Sequence, residues 1–142
     1  MRKKYLATKN RAFTRGLDFN ISYEYFRQLK LADCHYCGTP NMLLSHYCEV
    51  MGYKTPWMTI DRTDNSRGYV IGNVVSSCFI CNRIKNNFFT HDEMCEIGKN
   101  FVSPKMKKFE QEAFDSFSDW CSTNVFLEDD LDPDIEIIEI DL

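Results

Sequence analysis

The chain has 142 residues, of which 44% are hydrophobic and 14% aromatic, and its 17 lysines and arginines against 21 acids give a net charge of −4. This composition predicts one globular domain, with no apolar run near the roughly 20 residues that a membrane helix needs. The basic N-terminal segment lacks the continuous apolar stretch of a secretory signal, so we expect a soluble, intracellular protein.

The first part of the chain, residues 1–33, is predicted to be a basic helical leader. Residues 2–16 have helical composition, and Asn20 or Ser22 can cap a second helix whose apolar residues recur at helical spacing. The leader begins with a stretch that contains no acid and six bases, namely Arg2, Lys3, Lys4, Lys9, Arg11 and Arg15. Such a stretch is typical of a surface that contacts phosphates, and the alternative is a solvated helix face.

The central part, residues 34–100, is predicted to contain a strand, a loop, a second strand and a helix. Asp61 is expected to lie at the end of the first strand. The predicted elements, in chain order, are an irregular segment over 39–56, a strand over Trp57–Ile60, a polar loop over Thr63–Gly72, a return strand within Val70–Ser76 and a helix over Cys78–Phe88.

The last part of the chain is predicted to be helical and then acidic. Thr90 and Glu93 have the spacing of a capping box, and Pro104–Cys121 is a predicted helix within a C-terminal segment, 101–127. Eight acids and no base lie in the tail, 128–142, and without them 13 acids face 17 bases, which leaves about +4 on the rest of the chain. The tail is either a solvated segment or a competitor of nucleic acid for the basic surface.

Four of the seven cysteines form two CxxC pairs, Cys34 with Cys37 and Cys78 with Cys81. Two such pairs supply four thiolates, which is a sufficient tetrahedral set for zinc. The remaining cysteines are scattered along the chain and are most simply buried thiols: Cys48, Cys95 and Cys121. The spacing therefore predicts one structural Zn²⁺ in a reducing compartment, and it argues against a disulfide scaffold.

The order of these features resembles that of one nuclease family. The segments IDRTDNSRGY and GNVVSSCFICNRIKNN are similar to the HNH (ββα-metal, or His-Me finger) endonucleases. Within this family, the likeness is closer to the subgroup with Asp-Arg at the end of the first strand, which contains restriction enzymes and phage-encoded nucleases. The resemblance is specific from about Cys34 to Met94. The resemblance implies an α+β fold with a zinc-bound ββα-metal core and flanking helices. It also implies hydrolysis of DNA phosphodiester bonds.

The resemblance further implies a role for each matching residue. Asp61 and Asn82 take the places of the ligands of a catalytic Mg²⁺ or Mn²⁺, and Asn73 takes that of the residue that orders the loop. Arg62 stands where most members have a general-base histidine, and the four paired cysteines match the structural zinc ligands. The implied partner is double-stranded DNA, and a homodimer is a further possibility. The expected DNA contacts are Arg11, Arg15, Arg67, Arg83 and Lys85.

Elementary chemistry agrees with most of these roles. One carboxylate and one amide oxygen suit Mg²⁺, which keeps several waters and takes phosphate oxygens as its other ligands. A guanidinium stays protonated in proteins, so Arg62 can grip a phosphate but cannot be the general base. The base stays open among hydroxide at the metal, Tyr36, Tyr69, His35 and His46. Two alternative functions also stay open, an HNH fold that only binds DNA and a zinc-stabilised domain that binds another protein.

Overall fold

The structure is a computed structural model, and it describes residues 1–54 and 58–123. Six α-helices, two strands and one short π-helical turn follow one another in this part of the chain. In order they are α1 (Arg2–Thr14), α2 (Tyr23–Leu31), α3 (Asn41–Val50), β1 (Thr59–Arg62), β2 (Val74–Ser77), α4 (Phe79–Lys85), α5 (His91–Ile97), the π-turn (Gly98–Val102) and α6 (Ser103–Thr123). This mixture of helices with one small sheet confirms the predicted α+β class.

The centre of the fold is a ββα unit. Strands β1 and β2 pair antiparallel, with Asp61 opposite Val75. Helix α4 follows β2 after a single residue, Cys78, whose sulfur accepts a hydrogen bond from the backbone of Cys81 and so caps the helix. The predicted strand–loop–strand–helix order is therefore present. Asp61 is the third of the four β1 residues, and Arg62 ends the strand; Trp57 lies outside the described residues.

The chain divides into two units, Met1–Glu110 and Gln111–Leu142. In the first unit, α1 and α2 pack on one side of the sheet through aromatic side chains. The ring of Tyr5 meets three aromatic rings edge-on at 5.3–5.6 Å, and its hydroxyl donates to the backbone of Ile21. These contacts hold the basic helix α1 in a fixed position against α2.

A second group of buried side chains lies around the CxxC pairs and consists of Leu44, Cys48, Met58, Met94, Val102 and Met106. It includes helix α3, which corrects the expectation that residues 39–56 are irregular. Pro40 precedes this helix rather than breaking it, and a proline is tolerated at a helix start because the first amides have no intrahelical partner. Gly52, at φ +69°, ends the segment.

Helix α4 is shorter than predicted. It ends at Lys85, and Asn86 has a positive φ of 43° that no further helical turn can follow. Phe88, which the prediction placed within this helix, lies beyond it with 84% of its surface exposed. The capping box is confirmed, because the side chains and backbones of Thr90 and Glu93 bond reciprocally at the start of α5.

The second unit contains the C-terminal part of α6, whose description ends at Thr123. The side chains of Phe117, Trp120 and Cys121 and the whole acidic tail, 128–142, lie outside the described residues. Within residues 1–54 and 58–123, no helix combines the length and the apolar character that a membrane span requires.

Candidate functional site

The four paired cysteines meet in one buried cluster. Their sulfur atoms all lie within 4.8 Å of one another, and each residue is at most 5% exposed. The Sγ atoms of Cys37 and Cys78 are 3.8 Å apart. A tetrahedral ion with metal–sulfur bonds of about 2.3 Å requires sulfur–sulfur edges of about 3.8 Å, so the cluster fits Zn²⁺.

The chemistry of the four thiols points the same way. A hydrogen bond from Cys37 is the largest of the thiol contacts that hold the pKa of Cys34 well below its usual range. The hydrogen bond with Cys34 is in turn the main cause that raises the pKa of Cys81 above its usual range. Four thiols packed together therefore cannot all ionise unaided, and a divalent cation permits it because metal ligation deprotonates the thiol.

The cysteine cluster also positions the sheet and α4. Gly38, at φ +70°, completes the first knuckle, and its amide donates to the carbonyl of Cys34 at 2.8 Å. The backbone amide of His35, in the same knuckle, donates to the carbonyl of Ser76 in β2 at 2.9 Å. The first knuckle is thereby attached to β2, while the second knuckle begins α4.

Asp61 is the central polar residue of the ββα unit, and it is only 6% exposed. Its Oδ2 accepts a hydrogen bond from the hydroxyl of Tyr36 at 2.6 Å and lies 3.1 Å from the ammonium of Lys85. Burial first, and then the neighbouring Asp61 carboxylate, raise the pKa of Tyr36 above its usual range. The phenol is therefore a hydrogen-bond donor to Asp61 in this arrangement.

Lys85 requires a correction. It was expected to contact DNA, but its side chain has no exposed surface, and its ammonium also donates to the carbonyl of Arg62 at 2.8 Å. A buried ammonium must be paired and hydrogen-bonded, and Asp61 and the β1 backbone supply these partners. Lys85 thus holds the carboxylate of Asp61 in position, and its side chain has no exposed surface that could contact a phosphate.

Asn82 is oriented by a chain of hydrogen bonds that begins on β1. The hydroxyl of Thr59 donates to the carbonyl of Ser77 at 2.7 Å, and this uses its single proton. The same oxygen accepts from the amide nitrogen of Asn82 at 2.7 Å. The nitrogen of the Asn82 amide thus faces Thr59.

Arg62 and Asn73 order the loop between the strands. Nη1 of Arg62 donates to the carbonyls of Asn65 and Arg67 at 2.9 and 2.8 Å, and its guanidinium lies 5.5 Å from the ring centre of Tyr69. The side chain of Asn73 makes four hydrogen bonds within the loop, to Thr63, to Gly68 and to both backbone groups of Asp64. The side chain of Asn73 therefore holds the loop in its conformation.

A cavity of about 640 Å³ joins these residues to helices α1 and α2. Among the described residues that line it, Asp61 is the single acid, and six side chains are cationic: Lys4, Arg11, Arg15, Lys30, Lys54 and Arg62. Asn82 and Tyr69 also line it. A concave surface with this charge attracts anions and concentrates them at Asp61.

Lys30 is the buried cation of this cavity, and sequence reasoning missed it. It is 7% exposed, and burial first, then the charges of Lys4 and Arg11, lower its pKa to about 8. The signal was present in the sequence, because Lys30 follows the buried Phe26 by four residues and therefore lies on the same face of α2. Lys30 thus adds a buried positive charge to a cavity wall that already carries Lys4 and Arg11.

The structure thus brings together some of the predicted site residues but not all of them. Asp61, Arg62, Asn82, Arg11 and Arg15 line one cavity. The expected DNA contacts Arg67 and Arg83 are exposed but are not part of its lining, and Asn73 lies in the loop. Tyr36, one of several candidates for the base, is the one that contacts Asp61.

Comparisons with known proteins agree with this architecture. The chain is similar to the rare-cutting HNH restriction endonuclease PacI, with a TM-score of 0.62 and 27% sequence identity over 71% of this chain and 75% of PacI. Over 100 residues it is also 33% identical to an uncharacterized protein of Acanthamoeba polyphaga mimivirus, and this match covers 69% of the chain but only 17% of the viral protein. No protein-family model matches the chain. The chain therefore has an HNH-like fold.

Proposed function

We propose that this protein is a metal-dependent endonuclease that hydrolyses phosphodiester bonds of double-stranded DNA. One observation carries the proposal. Asp61, Arg62 and Asn82 line one strongly cationic cavity on an HNH-like ββα unit. The similarity to an HNH restriction endonuclease supports the same reaction class.

The donor set fits a hard cation. The carboxylate of Asp61 and the amide oxygen of Asn82 are the ligand types that Mg²⁺ and Mn²⁺ prefer, whereas the tetracysteine cluster suits Zn²⁺. A bound Mg²⁺ or Mn²⁺ would supply a Lewis acid for the phosphoryl oxygens and the leaving group. Thr59 fixes which atom Asn82 presents, and Lys85 with Tyr36 fixes the carboxylate of Asp61.

The remaining cationic residues bind and orient the DNA. Nη1 of Arg62 is held by loop carbonyls, so the rest of its guanidinium is positioned at the cavity for a non-bridging phosphate oxygen. Arg11, Arg15 and Lys30 extend the cationic surface along α1 and α2 and would contact phosphates beside the scissile one. Arg67 and Arg83 are exposed and would contact the backbone farther away.

A second candidate function is a DNA-binding module without nuclease activity. The observation that favours it is the full set of protein partners at Oδ2 of Asp61, which accepts from Tyr36 and pairs with Lys85. Such a carboxylate is already neutralised by the protein. The two functions differ in one result, because the module binds DNA at low salt and leaves it intact in Mg²⁺ and Mn²⁺.

The test is a plasmid cleavage assay with Mg²⁺ or Mn²⁺ on the wild type, Asp61→Asn and Asn82→Ala. Asp61→Asn is preferable to Asp61→Ala, because it retains a hydrogen-bond acceptor for the buried Lys85. We expect both variants to lose cleavage and to retain zinc and helical content. The matched control is Asn100→Ala, which changes an exposed asparagine outside the cavity. Cleavage by Asn82→Ala at the wild-type rate would refute the assignment.

The viral source of the similar protein fits a nuclease that acts inside a host cell. Within the described part of the chain, nothing supports the homodimer that the sequence left as a possibility.

A further inference from the structure

Three potential metal ligands lie together outside the tetracysteine cluster. His35 belongs to the first knuckle, and His91 and Cys95 belong to α5. Their ligand atoms all lie within 4.8 Å of one another, and Cys95 Sγ is 3.7 Å from His91 Nε2. We call these three side chains the His–His–Cys cluster.

The backbone holds the cluster in a fixed geometry. His91 and Cys95 are four residues apart and therefore share one face of α5. The capping box of Thr90 and Glu93 fixes the start of this helix at His91. At the other end, Gly98 packs so closely on the backbone of Tyr36 that a Cβ atom there would overlap the Tyr36 carbonyl. The knuckle that carries His35 and the end of the helix that carries the other two ligands are therefore in close backbone contact.

His91 has an unusual hydrogen-bonding state. Its Nδ1 is buried and has no hydrogen-bond partner among the described residues, while its Nε2 faces only the sulfur of Cys95. Buried nitrogen atoms are nearly always hydrogen-bonded, because an unmet donor or acceptor costs about 1–3 kcal/mol. The ring is also stacked on that of His35, with 5.1 Å between ring centres. An ion bound by Nε2 would use the lone pair that faces Cys95, and Nδ1 would then carry the proton.

We propose that His35, His91 and Cys95 bind a second divalent ion of the zinc class. Two imidazole nitrogens and one thiolate form a donor set for Zn²⁺ or Co²⁺, whereas Mg²⁺ and Ca²⁺ require oxygen ligands. With bonds of about 2.3 Å to sulfur and about 2.05 Å to nitrogen, a tetrahedral ion needs a sulfur–nitrogen edge of about 3.6 Å. The observed 3.7 Å is close to this value. Because His35 is exposed, a water completes the fourth position.

The location gives this ion a defined structural effect. It would join the first knuckle to α5 through side chains, beside the ring of Tyr36. That ring lies 5.3 Å from His35 and 5.7 Å from His91, and its hydroxyl binds Asp61. The second ion would therefore restrict the residue that contacts Asp61. Binding of this ion does not depend on the proposed nuclease activity.

The test is a cobalt titration of the folded chain loaded with one Zn²⁺. We expect one equivalent of Co²⁺ to bind with the visible bands of a tetrahedral ion and a near-ultraviolet charge-transfer band from the thiolate, which distinguish it from Co²⁺ bound by the oxygen ligands Asp61 and Asn82. Cys95→Ser should lose the charge-transfer band. His35→Gln should weaken Co²⁺ binding by about a hundredfold or more, because even the loss of an outer partner of a metal ligand costs about 10- to 100-fold.

His46→Gln is the matched control, because His46 is an exposed histidine that is not part of the cluster. It should bind Co²⁺ as the wild type does. Exchange of Co²⁺ into the tetracysteine cluster would produce a thiolate band that persists in Cys95→Ser. Equal Co²⁺ stoichiometry and spectra in the wild type and Cys95→Ser would therefore overturn the proposal, as would a total of one metal per chain at saturation.

Discussion

Replacing Lys30 by methionine should stabilise the fold and weaken DNA binding at the same time. Methionine retains an unbranched stem of similar length but removes the ammonium. Lys30 is 7% exposed, and burial followed by the charges of Lys4 and Arg11 lowers its pKa from 10.5 to about 8. At about 1.4 kcal/mol per pKa unit, the charged form costs at most about 3.5 kcal/mol, and contact of the ammonium with water in the cavity reduces this value.

The pH dependence of the effect has a definite sign. Below the folded-state pKa of about 8, both the folded and the unfolded chain carry the proton on Lys30, and the full penalty applies. Between about 8 and 10.5 the folded chain releases the proton first, so the penalty decreases as the pH rises. Above 10.5 the penalty is absent. The advantage of Lys30→Met should therefore be largest at neutral pH and disappear toward high pH.

Urea denaturation of both proteins across this pH range, at a constant zinc concentration, measures the difference in the free energy of unfolding. Other titrating groups are common to the two proteins and cancel in the difference. Lys9→Met, at an exposed position of α1, controls for the added apolar surface. Lys30→Arg keeps the charge and should gain no stability. DNA binding by Lys30→Met should show a salt slope smaller by about one, because one phosphate contact is lost. A difference in stability that is zero or independent of pH would refute this account.

Three further predictions concern other parts of the chain. Cys78→Ser should lose both bound zinc and folding, and one zinc per folded chain in this variant, by elemental analysis, would contradict the cluster. Thr59→Val should slow cleavage about tenfold by releasing the amide of Asn82, whereas Thr59→Ser should retain the wild-type rate, since one hydrogen bond contributes about 1 kcal/mol. Deleting residues 128–142 removes eight acids and should tighten DNA binding and steepen its salt dependence; superimposable salt titrations would indicate a solvated tail.

The parts of the fold that follow from local rules were predictable from the sequence. The capping box at Thr90 and the cap at Ser22 depend on a few neighbouring residues, and both are present. The CxxC pairs predicted that distant segments meet, because four thiolates around one ion require it. Once the pairs meet, the strands between them are constrained, which is why the ββα order was also predictable.

The parts that depend on the environment of a side chain were not predictable in the same way. The sequence shows that Lys85 is cationic, but it does not show that the ammonium is buried and paired with Asp61. Helical spacing contained this information, since Lys85 follows Asn82 by three residues and Cys81 by four and so lies on their side of α4.

Helix α3 was missed for a different reason. Pro40 and Gly52 mark the two ends of a helix as readily as they mark an irregular segment, and the sequence alone does not distinguish these cases.

The position of α4 explains why the metal cluster and the cationic cavity depend on each other. This helix has seven residues, and a helix of that length is not stable in isolation because nucleation is costly. It carries a cysteine of the zinc cluster at position 81, the amide that Thr59 orients at position 82 and the buried lysine that pairs with Asp61 at position 85. Cys78 and Cys81 anchor its first turn, so loss of zinc would release Asn82 and Lys85 together. The buried charge of Asp61 would then lose its ion-pair partner in the same step that displaces Asn82, the other proposed metal ligand.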